Sequence, residues 1–362
     1  MEPIGPVSDT GATPNREAST GNDRHAKLRD LAPRTKRILT ALGTVLAVLL
    51  IVGVIGSLWV LNRFVIARVE IADVAAYEAA YNATTTTIGT VDEDASSPTT
   101  MTEPSADTAK AAQPSGNSYV TDGVSLTVDE HTVGSGSNQI TYFVADVVLD
   151  DPTALRSAFA TNAFGTNIVE YTSDIADDVG ALIAINADSY GFRDTGILIR
   201  NGVVYRDDGA RTGLAIYRDG TMEIYDETTT TAEELLEAGV WNTLSFGPAL
   251  VDGGEIVQGI EDVEVDRYIG KRSIQGAQPR TGIGMIEPGH YVLVVVDGRS
   301  PGYSRGMTMT EFAQLFQDLG CTVAYNLDGG GSATIYFNGE VVDDPLGHGH
   351  ERGTSDILYI AA

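Results

Sequence analysis

The stretch "HYVLVVVDGRSPGYSRGMTMTEFAQLFQDLGCTVAYNLDGGG", residues 290–331, decides the fold of this chain. It begins with an almost continuous apolar run that ends at Asp297 and finishes with a second apolar run that ends at Asp328. Between them, Thr308 and Glu311 have the spacing of a helix capping box, and apolar residues recur at helical spacing up to a terminating glycine. A strand, a helix and a strand in succession predict a βαβ unit with two parallel strands buried on both faces.

The residues before this stretch predict further strands and two short helices. Alternating apolar residues flank the dipeptides Asn201-Gly202 and Asp219-Gly220, a pattern typical of β-hairpins. An Asp-Pro pair predicts a helix over residues 152–159, and residues 171–180 predict another. We therefore expect residues 118–362 to form an α+β domain, in which helices pack on a mixed β-sheet with a C-terminal βαβ unit.

Residues 38–61 are uncharged and mostly apolar. As a helix they would be about 36 Å long, enough to cross a hydrocarbon core of roughly 30 Å. The run is longer than the apolar region of a signal peptide, so we predict a single transmembrane helix. Basic residues crowd its N-terminal side. This charge asymmetry predicts that residues 1–37 form a cytoplasmic basic tail and that the C-terminal domain is extracellular at the cell membrane.

Residues 83–117 are rich in Thr, Ser, Ala, Pro and acidic residues, a composition that offers little apolar surface to bury. It is typical of disordered segments. We therefore predict that residues 62–117 form an extracytoplasmic stalk and linker that separates the membrane helix from the folded domain.

The chain is strongly acidic, with a formal net charge of −27. Because residues 1–63 carry +3, the remainder carries −30. Such a charge argues against general attraction to nucleic acid or anionic lipid, so an anionic substrate would need a local cluster of cations. The lone cysteine, Cys321, excludes an intrachain disulfide and begins an apolar run typical of a buried thiol.

Three apolar runs end in aspartates, at Asp188, Asp297 and Asp328. Asn186 and Asn326 each lie two residues upstream, on the same strand face. Since ligands gather at the carboxyl ends of strands in α/β sheets, these side chains are candidates for one site. The alternative is that Asp-Gly pairs simply turn the chain. The same carboxylate and amide oxygens would also suit Ca²⁺ or Mg²⁺, whereas no His/Cys spacing typical of zinc is present.

Three consecutive glycines, Gly329, Gly330 and Gly331, follow the last of these aspartates. Glycines in series cost backbone entropy, so they occur where the main chain needs positive φ or lets another group approach closely. Their N–H groups could together form an anion-binding concavity.

Four ordered elements resemble the phosphodiester glycosidase family: "LSFGPALVDGGEIV" (244–257), "PRTGIG" (279–284), "VVVDGRSPGYSRGMTMTEFAQLFQDLGC" (294–321) and "YNLDGGGSATIY" (325–336). The resemblance covers roughly residues 138–362. It departs at "NADSYG" (186–191), where the family more often shows Asn-Gly followed by paired aromatics. Here Ala187 replaces the usual glycine and Ser189 replaces one of the aromatics.

The resemblance implies an enzyme that removes a sugar, such as N-acetylglucosamine, attached through C1 to a phosphodiester in surface polysaccharide or cell-wall polymer. Breaking the C1–O bond passes through an oxocarbenium-like state that carboxylates stabilise, and arginine suits bidentate contact with the departing phosphate. The implied catalytic residues are Asp188, Asp297 and Asp328. The implied substrate-binding residues are Asn186, Arg280, Arg299, Asn326, Gly329, Gly330, Gly331, Ser332 and Arg352.

Two other functions are compatible with the sequence. The domain could be a non-catalytic carbohydrate-binding or exopolysaccharide-assembly protein, or it could be a metal-dependent phosphodiesterase that cleaves the P–O bond instead of the C–O bond.

Overall fold

The computed structural model describes residues 33–88, 114–263 and 274–362. The chain divides into two compact units, Met1–Asn62 and Arg63–Ala362. The few helices and several sheets confirm the α+β class. The helices are α1 (Pro33–Phe64), α2 (Val74–Ile88), α3 (Thr172–Asp178), α4 (Ala232–Glu237) and α5 (Met309–Asp318).

The strands of the described residues lie in the second unit. They are β1 (Arg68–Ile71), β2 (Ser118–Val120), β3 (Val124–Val133), β4 (Ile140–Leu149), β5 (Arg156–Phe159), β6 (Phe164–Thr166), β7 (Ala181–Asn186), β8 (Gly196–Arg200), β9 (Val203–Asp208), β10 (Thr212–Tyr217), β11 (Met222–Asp226), β12 (Val240–Leu244), β13 (Ala249–Asp252), β14 (Glu255–Ile256), β15 (Arg280–Glu287), β16 (His290–Val296), β17 (Val323–Asn326), β18 (Ile335–Phe337), β19 (Glu340–Val341) and β20 (Asp356–Ala361).

Helix α1 contains an apolar stretch, Arg37–Arg63, that is long enough to cross a membrane. Its described side chains are almost all exposed and have no protein core around them. A signal sequence near an N-terminus shares these properties. Most of the predicted cytoplasmic tail lies outside the described residues.

The second unit begins earlier than the predicted domain boundary at residue 118. Strand β1 pairs with β6, and Val74 at the start of α2 is buried against Phe159 and Phe164. The first part of the predicted stalk therefore contributes to the folded unit, because it supplies apolar side chains and a strand. Residues 89–113 of that prediction lie outside the described residues.

The predicted βαβ unit lies in an eight-stranded sheet of order β14-β13-β17-β15-β16-β4-β3-β2. Strands β16 and β17 are joined by α5, and both pair antiparallel with β15. They therefore run parallel to each other with β15 inserted between them. Both strands are buried almost throughout, as predicted. Every strand pair in the described part of the chain is antiparallel, and β16 and β17 are parallel to each other because each pairs with β15.

Two packed sheets form the main core. Apolar residues of the eight-stranded sheet, such as Leu293 and Tyr325, join one buried cluster with Ile185 and Leu358 of a five-stranded sheet of order β19-β18-β7-β20-β5. Helix α5 covers the other face of the larger sheet, and α3 covers the other face of the smaller one. The layers are thus helix, sheet, sheet and helix, and central strands of both sheets, such as β16, β17 and β7, are buried on both faces.

The helix predicted over residues 152–159 is wrong. Asp151 caps a single 3₁₀ turn, Pro152–Ala154, by accepting a hydrogen bond from the N–H of Thr153. The chain then enters β5, which pairs with β20. Pairing with a distant strand therefore overrides the local helical spacing. The second predicted helix is confirmed by α3, and the two predicted hairpin turns join β8 to β9 and β10 to β11.

Candidate active site

Asp328 lies where the two large sheets meet. It follows β17 of the eight-stranded sheet, and its N–H donates to the carbonyl oxygen of Ala187, just after β7 of the five-stranded sheet (3.2 Å). Asn186, the last residue of β7, donates from Nδ2 to the carbonyl oxygen of Asp328 (2.5 Å). The backbone of Asp328 is therefore fixed by the end of a strand from the other sheet.

The two asparagines upstream of the aspartates are buried and hold backbone. The Oδ1 atom of Asn186 accepts from Thr281 Oγ1 (2.7 Å), so this amide is bonded on both sides. Asn326 donates from Nδ2 to the carbonyl oxygen of Gly247 (2.8 Å). Both were predicted as substrate-binding residues, and the structure places both within the scaffold beneath Asp328.

The carboxylate of Asp328 is bonded at one oxygen. Its Oδ2 accepts from Ser189 Oγ (2.5 Å) and lies 3.5 Å from Arg352 Nη2. The side chain is 15% exposed, and Oδ1 receives no hydrogen bond from the described residues. The protein therefore holds Oδ2 and leaves Oδ1 without a hydrogen bond from the described residues.

Gly329 and Gly330 lie against the backbone of Pro279. A Cβ atom at position 329 would lie 2.7 Å from the Pro279 carbonyl oxygen, so only glycine fits without displacement. The N–H of Gly330 donates to the same oxygen (3.0 Å). Because this N–H is already engaged, the predicted concavity of three free glycine N–H groups is not present.

Two arginine side chains flank the last two glycines. A Cβ atom at Gly330 would lie 3.3 Å from Arg299 Nη2, and one at Gly331 would lie 3.4 Å from the side chain of Arg352. Arg352 donates from Nε and Nη2 to Ser332 Oγ (3.0 and 2.8 Å). The glycines thus leave room for two guanidinium groups, an arrangement suited to binding phosphate.

Arg299 has a left-handed backbone with φ of 57°. This conformation costs a non-glycine residue about 1 kcal/mol, and such strain concentrates at functional positions. Its Nη2 donates to Gln278 Oε1 (2.7 Å). The structure therefore brings Arg299 and Arg352 together around the loop that carries Asp328.

Arg280, by contrast, holds the preceding loop. It is buried and donates to the carbonyl oxygens of Met307 (3.0 Å), Gly276 (2.9 Å) and Ile274. Burial and, secondarily, the charge of Arg299 lower the pKa of Arg280 to about 10. Its donors are directed at backbone, which does not fit the predicted role in binding substrate.

Asp188 belongs to a buried ionic cluster. Its Oδ2 accepts from the N–H of Ser245 (2.7 Å) and from Arg200 Nη2 (3.3 Å). The same Nη2 donates to Asp356 Oδ2 (2.8 Å). Burial and, secondarily, the negative charge of Asp188 raise the pKa of Asp356 to about 7, and the charge of Arg200 opposes this shift. The structure therefore places Asp188 in a network that anchors the loop after β7.

Asp297, at the end of β16, has its own set of partners. Its Oδ2 accepts from Tyr303 Oη (2.8 Å) and from the N–H of Asp344 (3.2 Å). Burial raises the pKa of Asp297 to about 6. Its carboxylate and that of Asp328 share no hydrogen-bond partner among the described residues. Arg299, two residues after Asp297, has its guanidinium beside Gly330, two residues after Asp328. That both line one pocket stays a prediction.

The three aspartates do not form a metal site. Each carboxylate is bonded to different protein groups, and no group of three or more His, Cys, Asp or Glu side chains within the described ranges has an arrangement that could hold a metal ion. The hypothesis that Asp188, Asp297 and Asp328 bind Ca²⁺ or Mg²⁺ together therefore lacks the required geometry.

Sequence reasoning missed Ser189 and Gln278 as partners of the site, and it missed the pair of Arg200 and Asp356. Only Ser189 carried a signal, since it departs from the pattern of the family. Gln278, Arg200 and Asp356 each bond to residues that are distant along the chain, and no local spacing in the sequence indicates such contacts.

Comparisons with known proteins identify the family of this chain. The family model for phosphodiester glycosidases matches residues 179–361. SPbeta prophage-derived uncharacterized protein YomE of Bacillus subtilis (strain 168) is 32% identical over 207 residues, 55% of this chain and 30% of that protein. Bovine N-acetylglucosamine-1-phosphodiester alpha-N-acetylglucosaminidase is 30% identical over 143 residues, 37% of this chain and 26% of the enzyme. The chain thus spans less than a third of the length of these curated relatives.

A solved structure shares the fold. The catalytic domain of zebrafish N-acetylglucosamine-1-phosphodiester alpha-N-acetylglucosaminidase, auto-inhibited by its pro-peptide, superposes with a TM-score of 0.54 at 22% identity, over 67% of this chain and 84% of that one. The matched family segment covers just over half of the chain and includes Asp188, Asp297, Asp328 and Arg352. The chain therefore belongs to the phosphodiester glycosidase family.

Proposed function

We propose that this chain is a membrane-anchored extracytoplasmic hydrolase that releases a sugar resembling N-acetylglucosamine from a glycosyl-1-phosphodiester in surface polysaccharide or cell-wall polymer. Family membership and the activity printed in the name of the bovine relative support the reaction class. The single observation that carries the proposal is the carboxylate of Asp328, held at Oδ2 and without a protein partner at Oδ1 among the described residues, next to a glycine loop (Gly329–Gly331) against which Arg299 and Arg352 lie.

In the proposed reaction, the bond between C1 of the sugar and the phosphate oxygen breaks, and water adds to C1. The departing phosphate takes the bonding electrons, and Arg299 and Arg352 stabilise its charge. Asp328 Oδ1 faces C1 and stabilises the positive charge that develops on the sugar. Because a phosphate is a weak base, charge stabilisation contributes more here than protonation of the leaving group.

We propose Asp297 as the group that removes a proton from the attacking water. A base is most effective when its pKa is near the working pH, and burial raises the pKa of Asp297 to about 6. Tyr303 Oη and the N–H of Asp344 hold one oxygen of this carboxylate.

The membrane part of the proposal depends on the apolar stretch Arg37–Arg63 and on the basic residues that precede it. The excess of Lys and Arg on the N-terminal side favours a cytoplasmic N-terminus. The folded unit would then lie outside the membrane, where polymer substrates are found.

Asp328→Asn tests the proposed function. Asn is nearly isosteric with Asp but carries no charge, so we expect turnover of the methyl phosphodiester of N-acetylglucosamine 1-phosphate to be lost while the fold is kept. Asp318→Asn, on the exposed face of α5, is the matched control, and it should keep wild-type kcat/KM. The full-length chain in detergent is used throughout. Wild-type activity in Asp328→Asn would refute the assigned role.

A further inference from the structure

Ser189 makes a short hydrogen bond to the candidate catalytic carboxylate. It lies between β7 and the 3₁₀ turn Tyr190–Phe192, and its Oγ donates to Asp328 Oδ2 at 2.5 Å. The side chain is half-buried.

The loop that carries Ser189 is fixed on both sides. Before it, the carbonyl oxygen of Ala187 accepts from the N–H of Asp328, and the carboxylate of Asp188 is held by Ser245 and Arg200. After it, the N–H of Phe192 donates to the carbonyl oxygen of Ser189 itself (3.0 Å). The hydroxyl is thus placed by backbone and by a buried ion pair, independently of any substrate.

A carboxylate rotates readily about its last side-chain bond, because that torsion is broad. Ser189 and Arg352 both contact Oδ2. Arg352 is 56% exposed and lies at 3.5 Å, so the hydroxyl at 2.5 Å is the firmer of the two restraints. With Oδ2 held in this way, Oδ1 is presented in one orientation.

We propose that Ser189 is a positioning residue that orients the carboxylate of Asp328 so that Oδ1 faces the anomeric carbon of the substrate. The proposal rests on the proposed function of Asp328. It predicts that Ser189 acts on the chemical step more than on substrate binding, because its contact is to the carboxylate. Misplacement of a reacting group by about 1 Å can lower a rate about 100-fold.

The test compares Ser189→Ala with Ser189→Thr in the full-length chain in detergent, with the methyl phosphodiester of N-acetylglucosamine 1-phosphate as substrate. We expect Ser189→Ala to lower kcat by about tenfold or more, since a hydrogen bond to a charged group is lost, and to leave KM unchanged. Ser189→Thr keeps the hydroxyl and should have a kcat close to that of the wild type. Ser118→Ala removes an exposed hydroxyl that donates to backbone elsewhere, and it should match the wild type.

If Ser189→Ala does not fold, Ser189→Cys keeps the side-chain volume with a much weaker donor and should show the same loss of kcat. Wild-type kcat in the Ala and Cys variants, with Asp328→Asn inactive, would overturn the positioning role and leave the proposed function intact. Failure of Ser189→Thr to restore kcat would also overturn it. Full activity in Asp328→Asn, or no turnover by the wild type, would overturn both.

Discussion

Arg352→Lys should lower kcat/KM strongly and change the stability of the fold little. The guanidinium of Arg352 contacts Ser332 Oγ, the carbonyl oxygen of Gly329 and Asp328 Oδ2 at the same time. Lysine keeps the charge but not the planar fork, so it cannot make all three contacts. Because the side chain is 56% exposed, its ion pair with Asp328 should contribute no more than about 1 kcal/mol to folding.

The expected loss in catalysis is larger. One charge-assisted hydrogen bond to the departing phosphate contributes about 1.5–3 kcal/mol, which corresponds to a decrease in kcat/KM of about 10- to 150-fold. The assay measures kcat/KM for the methyl phosphodiester of N-acetylglucosamine 1-phosphate and the thermal midpoint of the full-length chain in detergent. Arg218→Lys is the control, since Arg218 is exposed and stacks on Trp241. Unchanged kcat/KM in Arg352→Lys, or equal losses in both variants, would refute this reasoning.

Two further predictions concern the glycine loop and the buried acid. Gly329→Ala should destabilise the chain by about 1–3 kcal/mol and reduce activity, because the added Cβ meets the Pro279 carbonyl oxygen. Gly331→Ala should cause smaller losses of stability and activity, because its Cβ meets only the side chain of Arg352. Thermal midpoints and kcat/KM of both variants test this. The pKa of Asp297, raised to about 6, exceeds the unfolded value near 3.9, so stability from this group is present at low pH and declines between about pH 4 and 6. Asp297→Asn should remove up to about 3 kcal/mol of that pH dependence in denaturant unfolding, and an identical pH dependence would contradict this.

Local sequence patterns predicted the elements around Asp328 well. The capping box of Thr308 and Glu311 is formed, and helix α5 ends within two residues of the expected glycine. The strands before Asp297 and Asp328 are parallel and buried, as their apolar runs indicate. These features depend on neighbours a few residues apart, which a sequence displays directly.

Contacts between distant residues could not be predicted. Ser189 and Asp328 are 139 residues apart, and Arg200 and Asp356 are 156 apart. The sequence identified Asp188 as an acid at a strand end, but only the fold shows that Arg200 neutralises it within the scaffold. For the same reason β15, which separates the two parallel strands, was not foreseen, since strand order is set by tertiary packing.

The position of cleavage tests the central claim most directly. Hydrolysis of the methyl phosphodiester of N-acetylglucosamine 1-phosphate in ¹⁸O-labelled water is followed by ³¹P NMR of the phosphate product, whose oxygens do not exchange with water as the anomeric hydroxyl of the sugar does. Attack at C1, with Asp328 stabilising the sugar cation, predicts methyl phosphate without ¹⁸O. Label in the phosphate would identify P–O cleavage by a phosphodiesterase, and absence of turnover would favour a carbohydrate-binding protein; either result would contradict the proposed function.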